Sequence, residues 1–138
     1  MRIFARNRSV AVQSFILKLI NNHCPELEAL IEGPRLEGRV SLVLVVLVVP
    51  LEKKRPATGQ VFAAVSKEFS TNGVALVLSH PRGLTEVALG FRWKGEMTWV
   101  RASAKHLNPM GAGFYQLGFR LTEILHAADY PELRSLIF

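Results

Sequence analysis

A chain of 138 residues holds about one domain at roughly 150 residues per domain, and 49% apolar with 20% charged residues is a globular composition, not a disordered one. Seventeen Lys and Arg against eleven Asp and Glu leave a net charge of +6, which favours an anionic partner: nucleotide, nucleic acid or acidic lipid. Asp129 is the one aspartate and Cys24 the one cysteine, so a carboxylate cage for a hard metal is disfavoured, and an internal disulfide or Cys-built zinc site is excluded.

The N-terminus, Met1 to Arg6, is charged, and the apolar stretch around Phe15-Ile16-Leu17 is broken by Lys18, so it is not read as a signal peptide. The longest apolar run, Leu42 to Leu51, is ten residues, about half of what a bilayer-spanning helix needs. A soluble, cytoplasmic protein without membrane insertion is expected, and the lone thiol fits a reducing compartment.

Apolar residues at Val12, Phe15, Ile16, Leu19 and Ile20 recur at intervals of three and four, which predicts one stripe on a helix, with Ser9 as its N-cap. Asn21, Asn22 and His23 interrupt the pattern. Pro25 suits the first turn of a second short helix that carries Leu27, Leu30 and Ile31 on one side and stops at Gly33. Residues 1–33 are thus expected to form a helical segment, and residues 34–138 a separate β-rich domain.

From Arg39 the helix signals vanish. Val40 to Val49 reads as a long strand ended by Pro50, and Lys53-Lys54-Arg55-Pro56 as a charged turn. Gln60 to Lys67 and Val74 to Leu78 are strands joined through an Asn72-Gly73 turn signal. After the turn at Pro81-Arg82-Gly83 come strands from Thr85 to Trp93 and from Met97 to Lys105, joined at Lys94-Gly95. A loop over Asn108 to Gly113 leads to the last strand, Phe114 to Leu121. Six strands joined mostly by short turns predict a small antiparallel barrel, which leaves no exposed edges on such apolar strands. Thr122 can cap a C-terminal helix with Glu123 in its first turn and Ile124 and Leu125 facing inward, and Pro131 to Ile137 a last turn or two.

Two groups of residues carry a chemical signal. Arg35 and Arg39 lie four apart between Pro34 and Gly38, on a loop that leads into the first strand. Two guanidinium forks there form an anion clamp, able to pair with phosphate or to meet the O6/N7 edge of guanine. In Glu68-Phe69-Ser70-Thr71-Asn72-Gly73, a carboxylate can accept from a guanine edge or orient an arginine, a serine can donate to phosphate, and a glycine permits positive φ and close backbone approach.

In order and spacing, these residues resemble the PilZ domain, the bacterial receptor module for cyclic di-GMP. Arg35 and Arg39 match that family's RxxxR pattern; Ser70 and Gly73 match its [DN]xSxxG pattern, with Glu68 where Asp or Asn is usual and Pro34 where a basic residue usually precedes the first arginine. Thr98-Trp99-Val100-Arg101 resembles the family's penultimate strand and Tyr115 to Leu121 its closing strand, so the likeness covers residues 34 to 126. It implies a six-stranded barrel with a C-terminal helix. It also implies a cyclic di-GMP site built from Arg35, Arg39, Glu68, Ser70 and Gly73, no catalysis, and signalling through a protein partner or a second copy of the chain. The alternative within the family is an adaptor that has lost the ligand and makes its contacts through the helical face of Phe15 and Leu19.

Other chemistries find little support. His23, His80, His106 and His126 show no metal-ligand spacing, His23 and Cys24 are sequence neighbours that point apart on a helix, and no GxSxG or Walker-type loop is present. No enzyme, metal or cofactor is expected. Phe91, Trp93, Trp99, Phe114 and Tyr115 could serve as base-stacking platforms on strands, but they read better as core, and the basic residues are dispersed. Nucleic acid is therefore not the expected partner.

Overall fold

The structure, a computed structural model, describes residues 2–23 and 39–138. The expected second helix between Pro25 and Gly33 lies outside these residues, as do Cys24, Pro34, Arg35 and Gly38. Helix α1 spans Arg2–His23. The stripe is as the spacing predicts: Val12, Phe15, Ile16, Leu19 and Ile20 are all buried. Ser9 falls inside the helix and does not cap it, because the residues before it contain no breaker. No described helix is long and apolar enough to cross a membrane.

The strands are β1 (Val40–Ser41), β2 (Val45–Glu52), β3 (Arg55–Pro56), β4 (Phe62–Ser70), β5 (Gly73–Leu78), β6 (Glu86–Trp93), β7 (Glu96–Gly111) and β8 (Phe114–Leu125). Every pairing is antiparallel. Six strands run in the order β4-β5-β8-β7-β6-β2, and pairing of β2 with β4 closes the ring. The expected antiparallel barrel is present, with the short β1 and β3 added at β4 and β2.

Alternation along the strands makes two apolar layers. Val46, Val48, Phe69, Val74, Leu76, Leu89, Phe91, Val100, Leu117 and Phe119 fill the interior with the stripe of α1. Phe15 meets Phe91 edge-on at 5.7 Å between ring centroids and Trp93 at 6.4 Å. A second cluster holds Val49, Ala88, Trp99, Leu125 and Leu133, with Tyr130 and Leu136 packed on it, so the C-terminal residues cover one outer face of the barrel.

The expected strand from Val40 to Val49 is interrupted at Leu42–Leu44, where backbone bonds to Lys67 and Ser66 remain and a side chain bridges the gap between them. Ser66, buried in β4, accepts from the Leu44 N–H at 2.8 Å and donates to the Leu42 carbonyl at 2.6 Å. Pro50 does not end β2. Pairing with β4 stops at Val48 and pairing with β3 begins at Leu51, so Pro50 falls between the two partners on that edge, where its carbonyl accepts from the Ala57 N–H at 2.8 Å. The loop expected over Asn108 to Gly113 is mostly strand: β7 runs to Gly111, and Ala112-Gly113 makes the turn. Pro109 is tolerated because β6 begins opposite Ser103, leaving one edge of β7 open past that residue.

The C-terminal helix expected from Thr122 is not formed. β8 continues to Leu125, pairing Glu123 with Arg101, Ile124 with Val100 and Leu125 with Trp99. Thr122 is the extra residue of a bulge, and its hydroxyl donates to the Arg101 carbonyl at 3.0 Å. Available strand partners and β-branched side chains outweigh a local capping signal. Only a 3-10 turn, Pro131–Ser135, follows.

Arg55 pins that turn. Its guanidinium donates to both carboxylate oxygens of Glu132, at 2.9 and 2.5 Å, and to the Asp129 carbonyl at 3.1 Å, and it lies over the Tyr130 ring at 5.0 Å. The Glu132 carboxyl is held below its ordinary range by its own backbone N–H and then by Arg55. A lowered carboxylate stabilises the folded form above the unfolded value and stops doing so as pH falls through the folded one. Acidification should therefore loosen Asp129 to Leu136 ahead of the barrel, read as faster amide exchange there while β5 and β8 stay protected. Glu132→Gln should show that looseness already at neutral pH. Uniform protection of the segment down through the carboxylate range would refute this role for the pair.

Candidate functional site

Because Phe69, Val74, Leu117 and Phe119 point into the barrel, their neighbours Glu68, Ser70, Ala75 and Gly118 point out. A groove of about 290 Å³ opens on that outer face. Register explains its shape. Glu68 on β4 pairs with Ala75 on β5, and Ala75 with Gly118 on β8. The middle of the row thus carries one methyl group and one hydrogen, and a Cβ built on Gly118 meets nothing within 4 Å. Small residues between larger ones make the floor.

One wall is the predicted set. Glu68 and Ser70 come from the end of β4, Gly73 from the start of β5, and Arg39 from the residue before β1, which lies on β4 through Val40 opposite Phe69 and Ser41 opposite Glu68. Arg39 Nη1 donates to Glu68 Oε1 at 2.6 Å. The guanidinium side chain is 70% exposed and the carboxylate 20% exposed, so this is a surface ion pair worth about 0–1 kcal/mol, easily exchanged for another partner. Of the two uses the carboxylate offered, the structure displays the orienting of an arginine. Arg35 lies outside the described residues.

The turn sits one residue earlier than its sequence signal. Thr71 and Asn72 form it, Ser70 pairs with Gly73, and Gly73 already belongs to β5. Gly73 is not among the positive-φ residues, so that part of the expectation is corrected. Its lack of a side chain serves close approach instead: a Cβ would stand 3.0 Å from Ser70 Oγ and 3.1 Å from the Phe119 carbonyl oxygen.

The opposite wall was not legible in the sequence. Lys105, His106 and Asn108 of β7 and Gln116 of β8 line it. In a regular strand Lys105 and His106 would face opposite sides. Here Ala104 pairs with Phe119 and Leu107 with Leu117, three steps on β7 against two on β8. The bulge falls across from Gly118 and brings both consecutive residues to the groove. No local signal marks such a bulge, because it exists only in the pairing of two strands. Lys67, itself the extra residue of a β4 bulge, reaches over β5 to Gln116 Oε1 at 3.0 Å.

The site therefore offers a guanidinium–carboxylate pair, a hydroxyl, a flat small-residue floor and a cationic wall. It can bind an anion that carries a flat group. Among the described residues no three His, Cys, Asp or Glu side chains gather as a metal site would require.

No family model and no curated protein matches the chain. Among solved structures, it is similar to the Bacillus subtilis inhibitor of motility (MotI/DgrA), at 17% identity and a TM-score of 0.47 over 69% of this chain. The chain spans 44% of the length of that structure's chain.

Proposed function

We propose that this chain is a PilZ-like, non-catalytic receptor for cyclic di-GMP that works in the cytoplasm and signals through a protein partner or a second copy of itself. The observation that carries the reading is the meeting of Arg39, Glu68, Ser70 and Gly73 on one wall of one groove. Arg39 and Glu68 lie 29 positions apart in the chain, and their meeting beside Ser70 and Gly73 supports the reading that the RxxxR and ExSxxG resemblance suggests. Arg39 would exchange its exposed contact with Glu68 for a phosphate or a guanine edge. Arg35, four residues before it, would supply the second fork. The Ser70 hydroxyl would donate to the ligand, and Gly73 would keep the approach clear.

The test is calorimetry of the whole chain with cyclic di-GMP, with GTP as the control nucleotide. Saturable binding is expected, weakened about tenfold or more by Arg39→Ala or Arg35→Ala, since a hydrogen bond to a charged group contributes roughly 1.5–3 kcal/mol. Absence of heat with cyclic di-GMP up to the millimolar range would reject the receptor reading. The adaptor reading would then take its place, with contacts elsewhere than Phe15 and Leu19, which are buried in the core, and with Glu68 serving only to hold Arg39.

A further inference from the structure

We propose that Lys105 and His106 form a second, anion-contacting wall of the groove, and that among the described residues Lys105, not Arg39, supplies the groove's uncompensated positive charge. The inference rests on the receptor reading for the identity of the ligand, but its physical basis is independent of the PilZ resemblance. On the first wall, Arg39 is already neutralised by Glu68 at 2.6 Å. On the second, the Lys105 and His106 side chains are exposed and, among the described residues, neither side chain forms a hydrogen bond or an ion pair. No acidic residue occurs between Glu96 and Glu123, so the whole outer part of the β7–β8 hairpin is free of carboxylates. Glu123 itself is engaged by Arg101 and Arg8, at 3.5 and 3.7 Å.

The bulge gives this wall its purpose. A regular β7 would turn either Lys105 or His106 away from the groove, and the register step between Ala104 and Leu107 keeps both on it. Between the walls the floor of Ala75 and Gly118 is flat and without long side chains. A flat base can rest there while a phosphate oxygen accepts from the Lys105 ammonium. The ligand class is thus a nucleotide whose phosphate lies toward β7, with Asn108 and Gln116 offering neutral hydrogen bonds beside it.

The experiment is an amide NMR titration of the full chain with cyclic di-GMP and, separately, with inorganic pyrophosphate, paired with affinity measurements on Lys105→Ala, Lys105→Arg and Lys53→Ala. Lys53 is a control of equal charge on the β2–β3 turn, away from the groove. The expected result is that the Lys105, His106 and Gly118 amides shift with both probes. Lys105→Ala should weaken binding about tenfold, Lys105→Arg should restore most of it, and Lys53→Ala should change it less than twofold. Binding of cyclic di-GMP that Lys105→Ala leaves intact would overturn the second wall while the receptor reading stands. Failure of cyclic di-GMP to bind at all would remove that reading, and pyrophosphate would then decide the wall. Shifts of the Lys105 and His106 amides that are lost in Lys105→Ala uphold it; their absence overturns it.

Discussion

Replacing Gly118 with isoleucine should lower affinity for cyclic di-GMP about 100-fold, close to 2.8 kcal/mol of binding free energy, with little effect on folding. Gly118 is the gap in the groove floor, between Ala75 on β5 and the Lys105–His106 bulge on β7. A Cβ at this position meets no atom within 4 Å, and its backbone is not in the positive-φ region. The barrel should therefore accept a β-branched residue, which suits a strand better than glycine does. The same side chain would stand where a flat base has to lie, and no rearrangement of the first wall can move it. Gly118→Ala should fall between wild type and Gly118→Ile. Calorimetry measures the affinities and thermal denaturation checks the fold. Affinity within threefold of wild type in a folded Gly118→Ile protein would show that the ligand does not use this floor.

Gly90→Ala should have the opposite profile, destabilising the fold by about 2 kcal/mol and lowering Tm by roughly 4–8 °C. Gly90 pairs across the ladder with Trp99, whose indole folds over the vacant position. A Cβ there would lie 2.7 Å from both Cζ3 and Cη2 of the indole and 2.9 Å from Met97 Cε. The methionine end can swing aside. The indole cannot retreat cheaply, because it is 5% exposed and packed in a cluster with Val49, Ala88, Leu125 and Leu133. Displacing it opens the layer that seats the C-terminal turn. A double-mutant cycle with Trp99→Leu isolates the clash. The cost of Gly90→Ala should fall sharply once the indole is gone, and an equal cost in both backgrounds would reject the steric account.

The two glycines show where sequence reading stops. In the sequence both are glycines within apolar strands. Only register distinguishes them: Gly90 sits under an aromatic ring and Gly118 under open space. The strands themselves were legible, since runs of Val, Leu and Phe between turn residues reflect local propensity and alternation. The stripe of α1 was legible for the same reason. The structure departs from local expectation where a tertiary partner outweighs a local preference. The Ser66 hydroxyl bridges Leu42 and Leu44 where the ladder is interrupted, pairing with β7 draws Thr122 to Leu125 into β8, and an open edge lets Pro109 remain in β7.

By itself, the sequence determined the basic charge, the exclusion of an internal disulfide, the antiparallel strand pattern and the closeness in the chain of Glu68, Ser70 and Gly73. All of these follow from composition or from residues within a few positions of one another. Ring closure of β2 on β4, the neutralisation of Arg39 by Glu68 and the second wall at Lys105 and His106 were decided by tertiary structure. Each depends on which residues of distant strands stand opposite one another. A single unpaired residue on β7 changes which side chains share a face, and that shift is a property of the β7–β8 pairing, with no counterpart in the local sequence of either strand.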